Sequence, residues 1–412
     1  MAIVRRIFFW THLICGVGAG IVIFIMSFTG AAIALQPQVL LWVEREMRTV
    51  PASPGARWIG PEALLAKVRD QRPDLTPASV TLEHDPTLAV MVTLTSPRPE
   101  APGEARPTGA GRPAGPPPQT TLYVNPYTGD VLGQLDASSP ARRFFRVNTD
   151  WHRWLAMSGD QRAAGRWITG VANAAFLVLA LTGLYIWIPR MWSWTAVRAV
   201  ALFRTGLPSK ARDFNWHNVI GVWSAAVLVV LTFTGMCISF PKTYDVIYAV
   251  TGIERPPLAA APSPPGASVV VSLEELDKAW GRAEAQMPSW RSIAMRLPQR
   301  AGQPLTFTFN DREQINPMAR STLTVDRVTA DVVRWEPYKG LTTGQRLRTW
   351  MRFGHTGELW GLPGQIVAGL ASAGGCVLVY TGVSLACRRF LLWRARRRRR
   401  LIRTDVRERS AA

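Results

Sequence analysis

Near its N-terminus the chain has a run of 37 uncharged residues, between Arg6 and Glu44. A membrane-spanning helix needs about 20 apolar residues, so this run is long enough to cross a bilayer. It is too long for a cleavable signal peptide and has no clear small-residue cleavage site, which favours an uncleaved signal anchor. The sequence therefore predicts an integral membrane protein that begins with a transmembrane helix.

Three later stretches are also uncharged and long enough to span a membrane. Two long polar segments separate them, so sizeable parts of the chain are expected in water. In chain order the sequence predicts transmembrane helices at 7–35, 166–190, 214–241 and 359–387, polar segments at 36–165 and 242–358, a basic loop at 191–213 and a basic tail at 388–412.

Basic residues flank the predicted spans. Arg5 and Arg6 precede the first span, the 191–213 loop is rich in arginine, and the tail contains the run Arg396–Arg400. By the positive-inside rule these flanks lie in the cytoplasm, so both termini are inside and both polar segments are outside. The net charge of +20 is also compatible with nucleic-acid binding. Basic flanks next to spanning helices favour contact with anionic lipid instead, and we expect no nucleic-acid partner.

Two parts of the sequence repeat. HLICGVGAGIVIFIMSFTG, from His12, aligns without a gap with HNVIGVWSAAVLVVLTFTG, from His217. LYVNPYTGDVL, from Leu122, aligns with LTVDRVTADVV, from Leu323, and both predict a β-hairpin. The second hairpin has lost the Gly and Pro of the first turn, so its turn chemistry is weaker.

A short helix precedes each predicted hairpin. In the first, Pro61 suits an initial helical turn; in the second, Ser272 and Glu275 form a candidate capping box. Pro- and Gly-rich loops are expected at 98–119 and 255–266. The predicted fold is an α-helical four-span bundle formed by tandem duplication, in which each copy contributes a span, a small α+β external module, a histidine and a second span.

Four of the five histidines fall at two depths in this topology. His12 and His217 begin the first and third spans, whereas His152 and His355 precede the second and fourth. Haem iron takes two axial ligands from opposite faces, neutral imidazole suits it, and facing helices commonly supply such ligands. Two haem sites at different depths would carry electrons across the membrane.

Other residues near the histidines suit the same hypothesis. Gly16 and Gly221 lie one turn after their histidines and would leave room for a flat macrocycle. Arg153 and Arg352 lie near the outer histidines and could pair with haem propionates. Interfacial snorkelling is an equal explanation for these arginines.

Three other interpretations of the histidines are open. They could form hydrogen bonds between helices. They could bind zinc or copper, but the spans lack the clustered Cys, Asp or Glu that completes such sites. They could relay protons, but the span interiors contain no carboxylate.

The order of these motifs resembles the PepSY-associated transmembrane-helix family of bacterial inner-membrane proteins. The resemblance rests on the segments WTHLICG, NWHNVIG, WHRWL, FGHTGELWG and LYVNPYTGDVLG and on the Thr-Gly pairs Thr182-Gly183 and Thr381-Gly382. It implies that the protein lies in the bacterial inner membrane. It also implies that each polar segment forms a PepSY-like periplasmic module, of which the second is degenerate. Members include iron-regulated proteins and siderophore reductases with two b-type haems. The family's ligands then fall on His12, His217, His152 and His355.

The resulting hypothesis is a di-haem electron-transfer protein that reduces a periplasmic ferric-siderophore and releases Fe(II). The chain shows no Gly-rich nucleotide fingerprint in the right context, so the electron donor would be a separate molecule. One alternative is a non-enzymatic regulator whose PepSY-like modules bind peptides or a protease. Another is a siderophore or iron transporter, although four spans without intramembrane carboxylates or broken helices suit transport poorly.

Overall fold

The computed structural model describes residues 2–51, 57–96, 118–188, 193–254, 273–298, 303–312 and 319–409. The chain divides into two compact units. The helical unit comprises Met1–Gln36, Arg143–Arg255 and Leu347–Ala412, and the sheet unit comprises Pro37–Arg142 and Pro256–Arg346. Ser272 and nearly all of the two predicted Pro/Gly-rich loops lie outside the described residues.

The helices are defined by the following bounds. In chain order they are α1 (Ala2–Ile33), α2 (Gln36–Val43), α3 (Arg45–Arg48), α4 (Pro61–Gln71), α5 (Pro140–Trp154), α6 (Arg162–Trp187), α7 (Trp194–Ala201), α8 (Ser209–Ser239), α9 (Lys242–Thr251), α10 (Leu276–Gln286), α11 (Thr343–Thr356) and α12 (Gly361–Arg409). Short 3-10 turns occur at Gly159–Gln161, Tyr338–Gly340 and Glu358–Trp360.

Four helices within the described residues are long and apolar enough to cross a membrane, at Ile3–Ile33, Gly159–Trp187, Ser209–Ser239 and Glu358–Arg399. The chain is thus a multi-pass membrane protein. The helices extend past the predicted apolar runs because arginine is itself a good helix former. Arg5, for example, lies inside α1 and donates a 2.6 Å hydrogen bond to the carbonyl oxygen of Ile186.

The four long helices form a ring. Both α1 and α8 pack against α6 and against α12, so α1 faces α8 across the centre and α6 faces α12. Small residues permit the close approach. A Cβ atom on Gly375 of α12 would lie 2.6 Å from the Ser27 hydroxyl of α1. Membrane helices commonly use small residues at such contacts.

The sheet unit contains eight antiparallel strands. They are β1 (Thr76–Glu83), β2 (Val90–Thr95), β3 (Gln119–Val124), β4 (Val131–Gln134), β5 (Trp290–Arg296), β6 (Leu305–Asp311), β7 (Arg320–Val325) and β8 (Val332–Glu336). Their spatial order is β4-β3-β2-β1-β5-β6-β7-β8. Each polar segment supplies one four-stranded half, and Thr81 of β1 pairs with Ala294 of β5 at the junction.

The structure differs from the predicted domain organisation in two respects. The two polar segments contribute to one continuous sheet rather than to two separate modules, because β1 and β5 pair along edges that would otherwise be unpaired. The unit boundaries also differ from the predicted 36–165 and 242–358. The histidine-bearing parts of α5 and α11 group with the membrane helices instead of with the sheet.

The helices α4 and α10 cap each other. The backbone N–H of Glu62 donates to the Asp277 carboxylate at 3.0 Å, and the N–H of Asp277 donates to the Glu62 carboxylate at 3.2 Å. Carboxylates at a helix N-terminus satisfy N–H groups that have no partner within the helix. Glu275, predicted to take part in a capping box, is the N-cap residue itself and its side chain makes no capping bond.

Both predicted hairpins form. The turn of the second hairpin reproduces that of the first despite its changed sequence. Asn125 and Asp326 each accept hydrogen bonds from the backbone N–H groups two and three residues ahead. Gly129 (φ +76°) and Ala330 (φ +60°) both have left-handed backbone. The loss of glycine therefore leaves the turn geometry unchanged.

Candidate cofactor site

Two pairs of histidines face each other within the helical unit. His12 of α1 and His217 of α8 form the first pair, with ring centres 6.2 Å apart. His152 of α5 and His355 of α11 form the second pair, also with ring centres 6.2 Å apart. These are the pairings that the predicted depths suggest. The first pair joins two helices that lie opposite each other in the ring of four.

A threonine on a neighbouring helix holds each ring of the first pair. The Nδ1 atom of His12 lies 3.1 Å from the Thr182 hydroxyl, and that of His217 lies 2.9 Å from the Thr381 hydroxyl. Each hydroxyl donates its own hydrogen to the carbonyl four residues earlier, Thr182 to Val178 at 2.6 Å. The threonine oxygen is then left to accept the imidazole Nδ1–H.

The second pair is held in the same way. His152 Nδ1 lies 3.1 Å from the Thr29 hydroxyl and His355 Nδ1 lies 3.2 Å from the Thr234 hydroxyl. A backbone carbonyl supplements each contact. The Met26 oxygen lies 2.9 Å from His152 Nδ1, and the Leu231 oxygen lies 2.9 Å from His355 Nδ1. Both acceptors fix the proton on Nδ1.

A glycine follows each of the four threonines and lies against the Cε1 edge of the same ring. The distance from an added Cβ atom to Cε1 would be 2.9–3.3 Å at all four positions, which are Gly30 beside His152, Gly183 beside His12, Gly235 beside His355 and Gly382 beside His217. A side chain at any of these positions would crowd the imidazole. Each Thr-Gly pair therefore forms a cradle, with the hydroxyl fixing Nδ1 and the glycine admitting the ring edge.

The cradles occupy Nδ1 of all four paired histidines and leave Nε2 available to a ligand. Burial lowers the pKa of His152 to about 4, with a further contribution from the nearby His355, and burial also lowers the pKa of His355. Both rings are therefore neutral near pH 7 and keep a lone pair on Nε2. A neutral imidazole with its other nitrogen hydrogen-bonded is the usual form of a metal ligand.

Neither pair has the further ligands of a compact metal site. Among the described residues, no group of three or more His, Cys, Asp or Glu side chains could hold a metal ion. A tetrahedral zinc site normally needs three or four protein ligands. The arrangement suits a centre whose metal takes two protein ligands and obtains the rest from a bound group.

The other predicted site residues occupy less central positions. A Cβ atom on Gly16 would lie 3.6 Å from the Leu179 side chain, and one on Gly221 would lie 3.7 Å from Leu378, so both glycines face an apolar side chain. The arginines are exposed. The Arg153 guanidinium lies 4.5 Å from the centre of the Trp154 ring, and that of Arg352 lies 5.5 Å from the Phe353 ring.

The sequence that forms this arrangement matches a known protein family. The family described as PepSY-associated TM region matches residues 9–389. The chain belongs to this family. The match extends from α1 into α12 and includes all four histidines and their cradles. No match was found among curated proteins.

The function of the Thr-Gly pairs could not be read from the sequence. In the sequence, Thr182-Gly183 and Thr381-Gly382 recur in the second and fourth spans, and Thr29-Gly30 and Thr234-Gly235 belong to the repeat that begins at His12 and His217. Their number, four pairs for four paired histidines, was the available clue. Only the packing of neighbouring helices shows which pair supports which ring.

Proposed function

We propose that this protein is a di-haem electron-transfer protein of the inner membrane. The observation that carries the proposal is the occurrence of two facing histidine pairs, each ring of which is fixed through Nδ1 and leaves Nε2 free. Each pair would hold one haem iron. Haem bound in this way supplies one-electron redox chemistry, which needs no general acid or nucleophile.

The spacing of the rings supports a metal between them. Two metal–imidazole bonds of about 2 Å, together with half a ring on each side, place the ring centres roughly 6 Å apart. The distance in both pairs is 6.2 Å. The sequence contains no C-x-x-C-H motif, so the haems would be b-type and bound without thioether bonds.

The surrounding residues would hold the haems and set their properties. The threonine hydroxyls orient the axial rings and, together with Met26 and Leu231 oxygens at the second pair, strengthen them as ligands. Arg153 and Arg352 carry positive charge near the second pair, where haem propionates or another anion would be attracted. Arg352 is close enough to contribute to a lowered pKa of Arg153, after the larger effect of burial.

The proposed substrate is a ferric-siderophore. By the positive-inside rule the second pair would lie near the periplasmic face and the first pair near the cytoplasm. Electrons from a separate donor would then pass outward, and Fe(III) bound by the siderophore would leave as Fe(II). The basic flanks would contact anionic lipid.

We also propose that the chain arose by duplication and that the sheet unit is built from two PepSY-like modules. Three correspondences support this. Both copies supply a histidine from equivalent helices, equivalent Thr-Gly cradles and the same hairpin turn. The distance from the threonine hydroxyl to Nδ1 is 3.1 Å for His12 and 2.9 Å for His217, and it is 3.1 Å for His152 and 3.2 Å for His355.

The proposal is tested by the absorption spectrum of the detergent-purified protein before and after reduction with dithionite, with haem measured per chain. We expect b-type bands and two haems per chain, and loss of one haem in single His→Ala variants. A colourless protein, expressed with haem available, would contradict the proposal and favour the non-enzymatic regulator. Reduction of a ferric-siderophore by the reduced protein, followed with an Fe(II) chelator, tests the substrate.

A further inference from the structure

One side of α6 lines the space between the two histidine pairs. Thr182 holds His12 at one end. Asn173 lies nine residues earlier, about 13 Å along the helix. It donates a 2.6 Å hydrogen bond to the Thr232 oxygen, and its amide lies 3.1 Å from the Cβ position of Gly235, the glycine that cradles His355. Phe176 lies between these two levels, one turn from Asn173.

The helix α12, on the opposite side of the ring, carries corresponding residues at the same nine-residue spacing. Thr381 holds His217, and Ser372, nine residues earlier, lies 3.5 Å from the Cβ position of Gly30, which cradles His152. The residue that corresponds to Phe176 is Gly375. The two helices therefore differ at the midpoint, where one has a phenylalanine and the other has no side chain.

The Phe176 ring extends across the centre of the bundle to this glycine. Its Cζ atom lies 3.5 Å from the Cβ position of Gly375, which is van der Waals contact. Because α6 and α12 are opposite each other in the ring of helices, the phenyl group crosses the space between the first and second pairs. The Ser27 hydroxyl lies 2.6 Å from the same Cβ position, so the site left open by Gly375 borders both side chains. Phe176 is partly exposed and is the large side chain at this contact.

We propose that Phe176 is a positioning residue that bridges the two redox centres and carries the electron path between them. The inference rests on the proposed di-haem function. With haem bound by both pairs, the step would be the transfer of one electron from the reduced to the oxidised group, with no bond broken and no proton moved. The ring supplies packed atoms along this path. Its removal leaves a void, because protein interiors close up only partly around a lost side chain, and electrons tunnel more slowly across a void than through packed atoms.

The experiment uses full-length protein in liposomes loaded with ferricyanide. External dithionite supplies electrons, valinomycin with K⁺ dissipates the charge, and the bleaching of ferricyanide reports transmembrane transfer. The variants are Phe176→Leu, which removes the ring, and Phe176→Tyr, which keeps it. Phe24→Leu is the matched control, since Phe24 is a 42 % exposed phenylalanine on α1. Haem content and midpoint potentials are measured for each variant.

We expect Phe176→Leu to keep two haems and both potentials while its transfer rate falls several-fold. Phe176→Tyr and Phe24→Leu should retain the wild-type rate. A wild-type rate in Phe176→Leu, or loss of haem in both Phe176 variants, would overturn the bridge and assign the ring to packing alone. Failure of the proposed function itself looks different, because the wild-type protein would then bind no haem or transfer no electrons.

Discussion

The Thr381 hydroxyl lies 2.9 Å from Nδ1 of His217 and donates its own hydrogen to the Val377 oxygen at 2.7 Å. Thr381 is fully buried. The hydroxyl therefore acts as a fixed acceptor that no water replaces. The same arrangement at Thr182, Thr29 and Thr234 makes the threonine as characteristic of the site as the histidine.

Thr381→Val keeps the shape of the side chain and removes the acceptor. The His217 ring then keeps only the backbone carbonyl of Leu378 as an acceptor, and the lost hydrogen bond costs about 0.5–1.5 kcal/mol. Loss of such a partner typically weakens metal binding about 10–100-fold. We expect weaker haem retention at the first pair, measured by haem transfer to apomyoglobin. Thr251→Val is the control, since Thr251 is an exposed helical threonine that also bonds the carbonyl four residues earlier.

Gly235→Ala tests the glycine half of a cradle. The new methyl group would lie 2.9 Å from Cε1 of His355 and 3.1 Å from the Asn173 amide. Overpacking of this kind costs about 1–3 kcal/mol and displaces the ring. We expect about one haem per chain instead of two, with the first pair unaffected.

Gly18→Ala is the matched control for that variant. An added Cβ atom on Gly18 of α1 meets nothing within 4 Å. Alanine is favoured over glycine in a helix by about 1 kcal/mol, so this variant should keep both haems and be equally or more stable. Equal haem loss in both variants would show that the cradle is not the cause.

Ala330→Gly tests the strained hairpin turn. Ala330 has φ +60°, a conformation that costs a residue with a Cβ atom about 1–2 kcal/mol and glycine little. We expect slower hydrogen exchange of the β7 and β8 amides in Ala330→Gly. The reverse change, Gly129→Ala at φ +76°, should speed exchange in β3 and β4, because its Cβ atom would also lie 2.5 Å from the Lys67 side chain. Unchanged exchange in both hairpins would contradict the argument.

Glu44→Gln tests a buried ionic network in the sheet unit. The Glu44 side chain is 7 % exposed and accepts hydrogen bonds from Arg48 at 2.7 Å, Arg142 at 2.6 Å and Tyr123 at 3.0 Å. Burial raises the pKa of Glu44, but these three hydrogen bonds and the charge of Arg142 outweigh it, so the net pKa lies below the usual value of a glutamate. Burial also raises the pKa of Tyr123 to about 12, so its hydroxyl stays protonated and donates.

The stability that Glu44 contributes should depend on pH. Because its pKa is lowered by folding, the contribution is complete well above the usual pKa of a glutamate and is lost as the pH falls through the pKa of the folded state. We expect Glu44→Gln to lower the stability of the full chain by about 2 kcal/mol at pH 7. Thermal unfolding of both proteins at several pH values should show the difference shrinking below pH 4.5. A constant difference down to the lowest pH would contradict the charged role of Glu44.

Several elements were predictable because their determinants are local. The uncharged runs predicted the four long helices, and the alternation around Asn125-Pro126 predicted the first hairpin. The second hairpin was harder. Its turn keeps the geometry with Asp326 and Ala330 in place of Asn125 and Gly129, and only the pairing of β7 with β8 shows that Ala330 takes up a left-handed conformation.

The cradles and the joining of the sheet halves were not predictable. Thr182 lies 170 residues from His12, and Glu62 lies 215 residues from Asp277, so no local periodicity connects either pair. The same holds for Phe176 and Gly375, whose contact depends on which helices stand opposite each other.

The sequence by itself determined a multi-pass membrane protein with four apolar helices, two hairpins and four histidines in matched positions. The four helices follow from a local rule, because a chain in hydrocarbon must satisfy its backbone hydrogen bonds within each helix. The hairpins follow from alternating apolar residues and turn residues, and the histidine positions follow from the repeat. The tertiary structure decided which threonine and glycine hold each histidine, that both polar segments share one sheet, and that the Phe176 ring of α6 meets Gly375 of α12. Such contacts depend on the packing of distant segments, where the shape and hydrogen bonds of one helix select their complement on another.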